Sequence, residues 1–200
     1  MDILGSEILE ELLSAVGEHL AEGGDAAAIV VVGGSTLALM GWVERTTKDV
    51  DVIAQAIERG EGRTLIAADP LPEALLRAVA RVGRDYGLAA DWLNTEIGAQ
   101  WDFGLPEGFA EELEWRQYGS LTVGFAGRQS LIALKLFATV DRGRESVHFQ
   151  DLIALAPTDP ELAKAADWVV SQDAGEHFPA LLKEVLRNVQ HDVGRDRPPR

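Results

Sequence analysis

The chain has no cysteine, which excludes disulfides and thiolate metal sites. Histidine is scarce: His19, His148, His177 and His191 are scattered and show no metal-ligand spacing. No long apolar run is present either. The longest, Ala26 to Val32, is far too short to span a bilayer, so no membrane partner is expected. The opening "MDILGSEILEELLSAV" carries acids where a secretory signal would carry lysine or arginine, and a cytoplasmic location is the expectation. Basic residues are outnumbered, 18 against 33 acids, for a net charge of −15. Such a surface repels a phosphate backbone, which argues against unaided binding of duplex DNA. It does not argue against a nucleotide, because a bound Mg²⁺ reverses the local sign. The one basic stretch, "GRDRPPR", reads as a frayed tail over 192–200.

What is present is an ordinary globular composition with clear periodicities. Residues 6 to 21 read as a helix, with Ile8, Leu12, Leu13, Val16 and Leu20 at 3.6-residue spacing and "EGGD" as its stop. "AAAIVVVGG" is a β-branched apolar run, the pattern of a strand buried on both faces. "STLALMGWV" reads as a helix with Ser35 at its N-cap. "DVDVIAQ" alternates strictly and reads as a strand with valines inward and aspartates outward. A helix over "LPEALLRAVARVGRDYG" puts Leu71, Leu75, Val79, Val82 and Tyr86 on one side. "AADWLN" reads as a short strand or its exit, and "SLTVGFAG" as another strand, followed by the helix "RQSLIALKLFATV". Helices around 146–156, 160–171 and 176–190 complete the chain. This order predicts an α/β (α+β) core over 1–126 and a helical part over 127–191 packed on it as one unit.

The chemistry concentrates in "VVGGSTLALMGWVERTTKDVDVIA". Gly33 and Gly34 let the backbone approach a ligand closely. A helix start at Ser35 offers unpaired N–H groups to a phosphate. The stretch lacks the Lys-Ser/Thr ending of a Walker loop and the third glycine of a dinucleotide fingerprint. Asp49 and Asp51, two apart on a strand, send their carboxylates from one face, about 7 Å apart at the Cβ level. Convergent hard oxygens suit Mg²⁺ or Mn²⁺ bound together with a substrate phosphate. Arg45 and Lys48 read either as phosphate-neutralising groups or as exposed loop cations. Lys135, set among apolar residues, reads as a snorkelling surface lysine, as a partner of Asp151, or as a phosphate ligand. The tryptophans, including Trp92, Trp101 and Trp115, read as core or rim residues or as base-stacking surfaces.

"GGSTLALMGWVERTTKDVDV" resembles the nucleotidyltransferase signature, a Gly-Gly/Ser strand end followed by a helix and Asp-x-Asp. "DWLN" at 91–94 and "LIALKLFATVDRGRESVHFQDLIAL" at 131–155 are similar to small bacterial nucleotidyltransferase-like proteins, including the abortive-infection type toxins. The resemblance spans roughly residues 28 to 156. It implies a mixed sheet flanked by helices, with Gly34 and Ser35 on the nucleotide phosphates and Asp49 and Asp51 on metal. It also implies an NTP substrate, a hydroxyl acceptor (RNA, protein or small molecule) and, for a toxin, an antitoxin protein as partner. The superfamily's third acid is absent from "LTVGFAG". Asp91 is the substitute expected here, with Asp102 and Glu96 behind it.

Overall fold

In the computed structural model, which describes residues 4–60, 62–173 and 175–196, the chain forms two units. The first comprises residues 1–103 and 113–126, the second 104–112 and 127–200. The segment 104–112, expected within the N-terminal core, thus groups with the C-terminal helices.

The first unit is built on a six-stranded mixed sheet. Its centre is β1 (Ala27–Val32), whose last four residues are buried, as a doubly covered β-branched run requires. β1 pairs antiparallel with β2 (Val50–Arg59) and parallel with β6 (Leu121–Phe125). β3 (Gly62–Ala67) and β5 (Glu114–Tyr118) close the two edges as antiparallel hairpin partners of β2 and β6. Neither hairpin strand has the apolar alternation that marks β1 and β2, and both escape the sequence pattern. β4 is only Leu93–Asn94, paired parallel with the start of β2.

One sheet face is covered by α1 (Ser6–Gly23) and α3 (Glu73–Tyr86). α1 buries Leu9, Leu12, Leu13, Val16 and Leu20. The apolar stripe starts at Leu9 rather than at Ile8, which is 41% exposed. Gly17 sits in mid-helix because a Cβ there would be driven into the Tyr118 carbonyl. α3 ends at Gly87 in the left-handed conformation, φ 68°, an ordinary glycine C-cap. Its Gly83 gives room to the indole of Trp92, which a Cβ would approach to 3.1 Å. Trp92 is buried and its Nε1–H donates to the Val79 carbonyl at 3.2 Å. Its own carbonyl accepts from Val50 N–H at 2.7 Å. One buried tryptophan therefore fixes β4 beside β2. Between α3 and β5 lie a 3₁₀ turn (Glu96–Gly98) and α4 (Ala99–Phe103).

The second unit consists of α5 (Arg128–Arg142), α6 (Val147–Ala154), α7 (Asp159–Gln172) and α8 (Phe178–Asp196), with the segment 104–112. α8 runs past the expected start of a tail at 192; Val189 and Val193, four apart, continue its buried face. Residues 197–200 of the expected tail lie outside the described residues. α6 is capped by Ser146, whose Oγ accepts from Phe149 N–H. α7 opens with a capping box: Thr158 accepts from Glu161 N–H, and Glu161 accepts from Thr158 N–H.

Glu161 also takes the Arg128 guanidinium at 2.8 Å. Arg128 first, then the Thr158 donors, hold its carboxyl down at about 2, against the opposing effect of partial burial. A depressed carboxyl contributes stability above its unfolded value near 4.5 and loses that contribution as pH falls toward 2. Urea denaturation of wild type and Glu161→Gln should therefore differ clearly at pH 7, and the gap should shrink between pH 4.5 and pH 2. An unchanged gap across that window would assign the difference to packing instead.

Candidate nucleotide site

Gly33 follows β1 with φ 77°, in the left-handed region that a side chain disfavours. A Cβ at Gly33 would also be driven into Oδ2 of Asp51. The contact follows from register, since Val32 pairs directly with Asp51. Gly33 is thus demanded twice, by its dihedral and by the carboxylate over it. Around Gly34, a Cβ would lie 3.0 Å from the Arg45 guanidinium and 3.0 Å from Oγ1 of Thr47. Thr47 in turn donates to the Asp49 carbonyl at 3.3 Å and lies 3.5 Å from the Asp49 carboxylate. Its backbone exchanges hydrogen bonds with Leu4 at 2.8 and 3.0 Å, which anchors the loop before β2. Asp51 thus lies over Gly33, Arg45 and Thr47 lie over Gly34, and Thr47 links this cluster to Asp49. Asp49 lies one residue before β2 and Asp51 one residue inside it, both partly exposed.

Other expected residues are placed differently. Ser35 is not the N-cap of α2 (Gly33–Leu39); that position is Val32. The positive φ of Gly33 turns the chain into the helix there, so that the N-cap falls at Val32 and not at Ser35. Ser35 is fully buried in the first turn, its hydroxyl donating to the Val32 carbonyl at 3.3 Å. Lys48 is exposed in the loop.

Asp91 is not on a strand. With Trp92 and Leu93 both buried, β4 begins at Leu93 and leaves Asp91 in an exposed turn. Glu96 and Asp102 lie in the 3₁₀ turn and in α4. The residue that β4 does bring opposite Asp51 is Asn94. Lys135 is neither snorkelling nor exposed: within the helical unit its ammonium meets the Asp151 carboxylate at 2.7 Å, both side chains buried. Trp92 is core, and Trp115 lies flat over Gly124 with the Arg63 guanidinium 4.6 Å from its ring. Thr47 and Asn94, which the structure places beside Asp49 and opposite Asp51, carry no obvious signal in the sequence. The phase of "DWLN" against "DVDV" carries a signal for Asn94 only once the two strands are known to be parallel.

Among the described residues no group of three or more histidines, cysteines or carboxylates is suited to hold a metal ion. Two carboxylates beside a bare glycine backbone still fit a Mg²⁺ or Mn²⁺ ion, which commonly takes one or two protein carboxylates and completes its shell with substrate phosphate and water. The missing Cβ at Gly33 leaves room for the Asp51 carboxylate itself, which lies directly against the turn after β1. No helix among the described residues is long and apolar enough to cross a membrane.

No curated protein matches the chain. Among solved structures, an antigenic nucleotidyltransferase-like protein from Paracoccidioides brasiliensis is similar at 13% identity and a TM-score of 0.47, covering 96% of this chain and 95% of the other. Residues 7–159 match the model of a family described as "Nucleotidyltransferase of unknown function (DUF6036)". That match takes in the glycine turn, both aspartates, β4 and the Lys135–Asp151 pair, and the chain belongs to this nucleotidyltransferase family.

Proposed function

We propose that this protein is a metal-dependent nucleotidyltransferase that moves a nucleoside monophosphate from an NTP to a hydroxyl acceptor, releasing pyrophosphate. The observation that supports this most directly is the register of Val32 with Asp51, which seats a carboxylate against the bare Gly33 backbone. In this reading Asp49 and Asp51 hold Mg²⁺ or Mn²⁺. When bound, the ion supplies neutralising charge and Lewis acidity toward the triphosphate. The backbone at Gly33 and Gly34 approaches the phosphates, and Arg45 and Lys48 balance their charge. The acceptor hydroxyl gives up its proton to solvent water as its oxygen bonds to the α-phosphorus; the bond to the bridging oxygen breaks, and pyrophosphate departs with that electron pair. Thr47 keeps Asp49 in place through its hydroxyl. The net charge of −15 favours a protein or small-molecule acceptor over RNA, unless a partner brings positive charge. A toxin paired with an antitoxin protein is the setting that the resemblance of residues 28 to 156 suggests.

Asn94 opposite Asp51 supports a second reading, a nucleotide-binding or regulatory module with little turnover. Incubation with each α-labelled NTP, Mg²⁺ or Mn²⁺, and a cell extract separates the two. Label transferred to an acceptor with stoichiometric pyrophosphate is the expected result. Nucleotide retained without transfer would establish the binding module in its place.

A further inference from the structure

We propose that Asn94 stands where a third carboxylate would complete this site, so that the site takes a single divalent ion; this rests on the nucleotidyltransferase reading above. β4 and β2 run parallel, with Val50 opposite Leu93 and Asp51 opposite Asn94. Residues bridged in this way sit about 4.8 Å apart and point to the same face of the sheet. Val50 and Leu93 both enter the core beneath the helices. Asp51 and Asn94 therefore share the opposite face, the one on which Gly33 meets Asp51.

A carboxylate at position 94 would be the natural third ligand, and the chain has an amide there. The neighbouring acids do not replace it. Asp91 lies in an exposed turn, and Glu96 is exposed at the start of the 3₁₀ turn.

The amide is already oriented. Its Oδ1 accepts from Glu96 N–H at 2.9 Å, and its Nδ2 donates to the Asp91 carbonyl at 3.3 Å. One lone pair on Oδ1 and one N–H remain for a ligand. A neutral amide neither neutralises a second cation nor takes a proton from an attacking hydroxyl. Pairs of catalytic metal ions sit about 3.5–4 Å apart, and holding two positive charges that close requires more anionic oxygen than Asp49 and Asp51 provide. The residual hydrogen-bonding capacity of Asn94 suits a nucleotide oxygen beside one bound ion.

The test is a Mn²⁺ titration followed by electron paramagnetic resonance and calorimetry, with and without a non-hydrolysable NTP. Wild type should bind one Mn²⁺ per chain, and Asn94→Asp should bind two with a spin-coupled signal. Two ions in wild type, or one in a folded Asn94→Asp protein, would overturn the proposal. If the variant does not fold, wild type alone decides. Sub-stoichiometric Mn²⁺ should broaden the Asn94 side-chain amide resonances, assigned by their loss in Asn94→Ser. Sharp Asn94 resonances with Mn²⁺ bound would also overturn it. Nucleotide bound without any Mn²⁺ removes the single-ion site alone. Neither bound removes the underlying reading too.

Discussion

Asp51→Asn should lower the proposed nucleotidyl transfer by about a thousandfold or more, because in that reading it removes a metal ligand and with it several kcal/mol of charge stabilisation in the transition state. The substitution keeps the size of the side chain over Gly33 and removes only its charge. Asp51 is partly exposed and sits in a ten-residue strand paired on both edges, so the fold should be retained. Mg²⁺-dependent NTP binding, measured by calorimetry, should be lost together with transfer. Asp49→Asn should follow the same pattern, and Asp91→Ala should not, since its side chain lies in an exposed turn. Transfer by Asp51→Asn within tenfold of wild type would remove the carboxylate from the reaction.

Asp151→Ala should be the most costly substitution for stability in the helical unit. Lys135 and Asp151 meet at 2.7 Å with side chains only 7% and 1% exposed. Removing one partner of a buried pair typically costs about 3–5 kcal/mol, because the other charge is left without compensation. Lys135→Met should cost less, since methionine fills the lysine stem's volume and leaves no buried cation behind. The double variant Lys135→Met/Asp151→Ala should lose less than the sum of the two, the mark of a coupled pair in a double-mutant cycle. Equal, near-zero losses in both single variants by urea denaturation would contradict a structural role for the pair.

The sequence makes legible those features that depend on local pattern. β1 and β2 are visible because one is a β-branched run and the other alternates, and their chemistry is visible because glycine and aspartate are unusual at such positions. α1, α3 and α5 to α8 follow from 3.6-residue spacing. What depends on pairing is hidden. β3 and β5 earn their place as hairpin partners of β2 and β6, not by their own apolar alternation. β4 is two residues long, and its importance comes entirely from lying parallel to β2. Asp91 stands out in the sequence because it is charged, whereas the residue paired with Asp51 is Asn94, a matter of phase alone. Ser35 has the residue type of an N-cap, but the positive φ of Gly33 moves the helix start ahead of it. Lys135 reads ambiguously in sequence because its partner lies a helix away.

The order in which the chain visits the two units limits how the protein can be dissected. It enters the second unit at residue 104, leaves it after 112, and returns at 127. No single cut yields either unit whole. A fragment ending at 126 would retain 104–112 without the groups that hold it, including the Ser130 hydroxyl, which donates to Glu112 at 3.2 Å. During synthesis the sheet likewise stays open until residue 125, because β6, the parallel neighbour of β1, is the last strand made. A fragment holding the sheet unit alone would have to be spliced, joining residue 103 to 113 through a short linker and stopping after 126, rather than truncated.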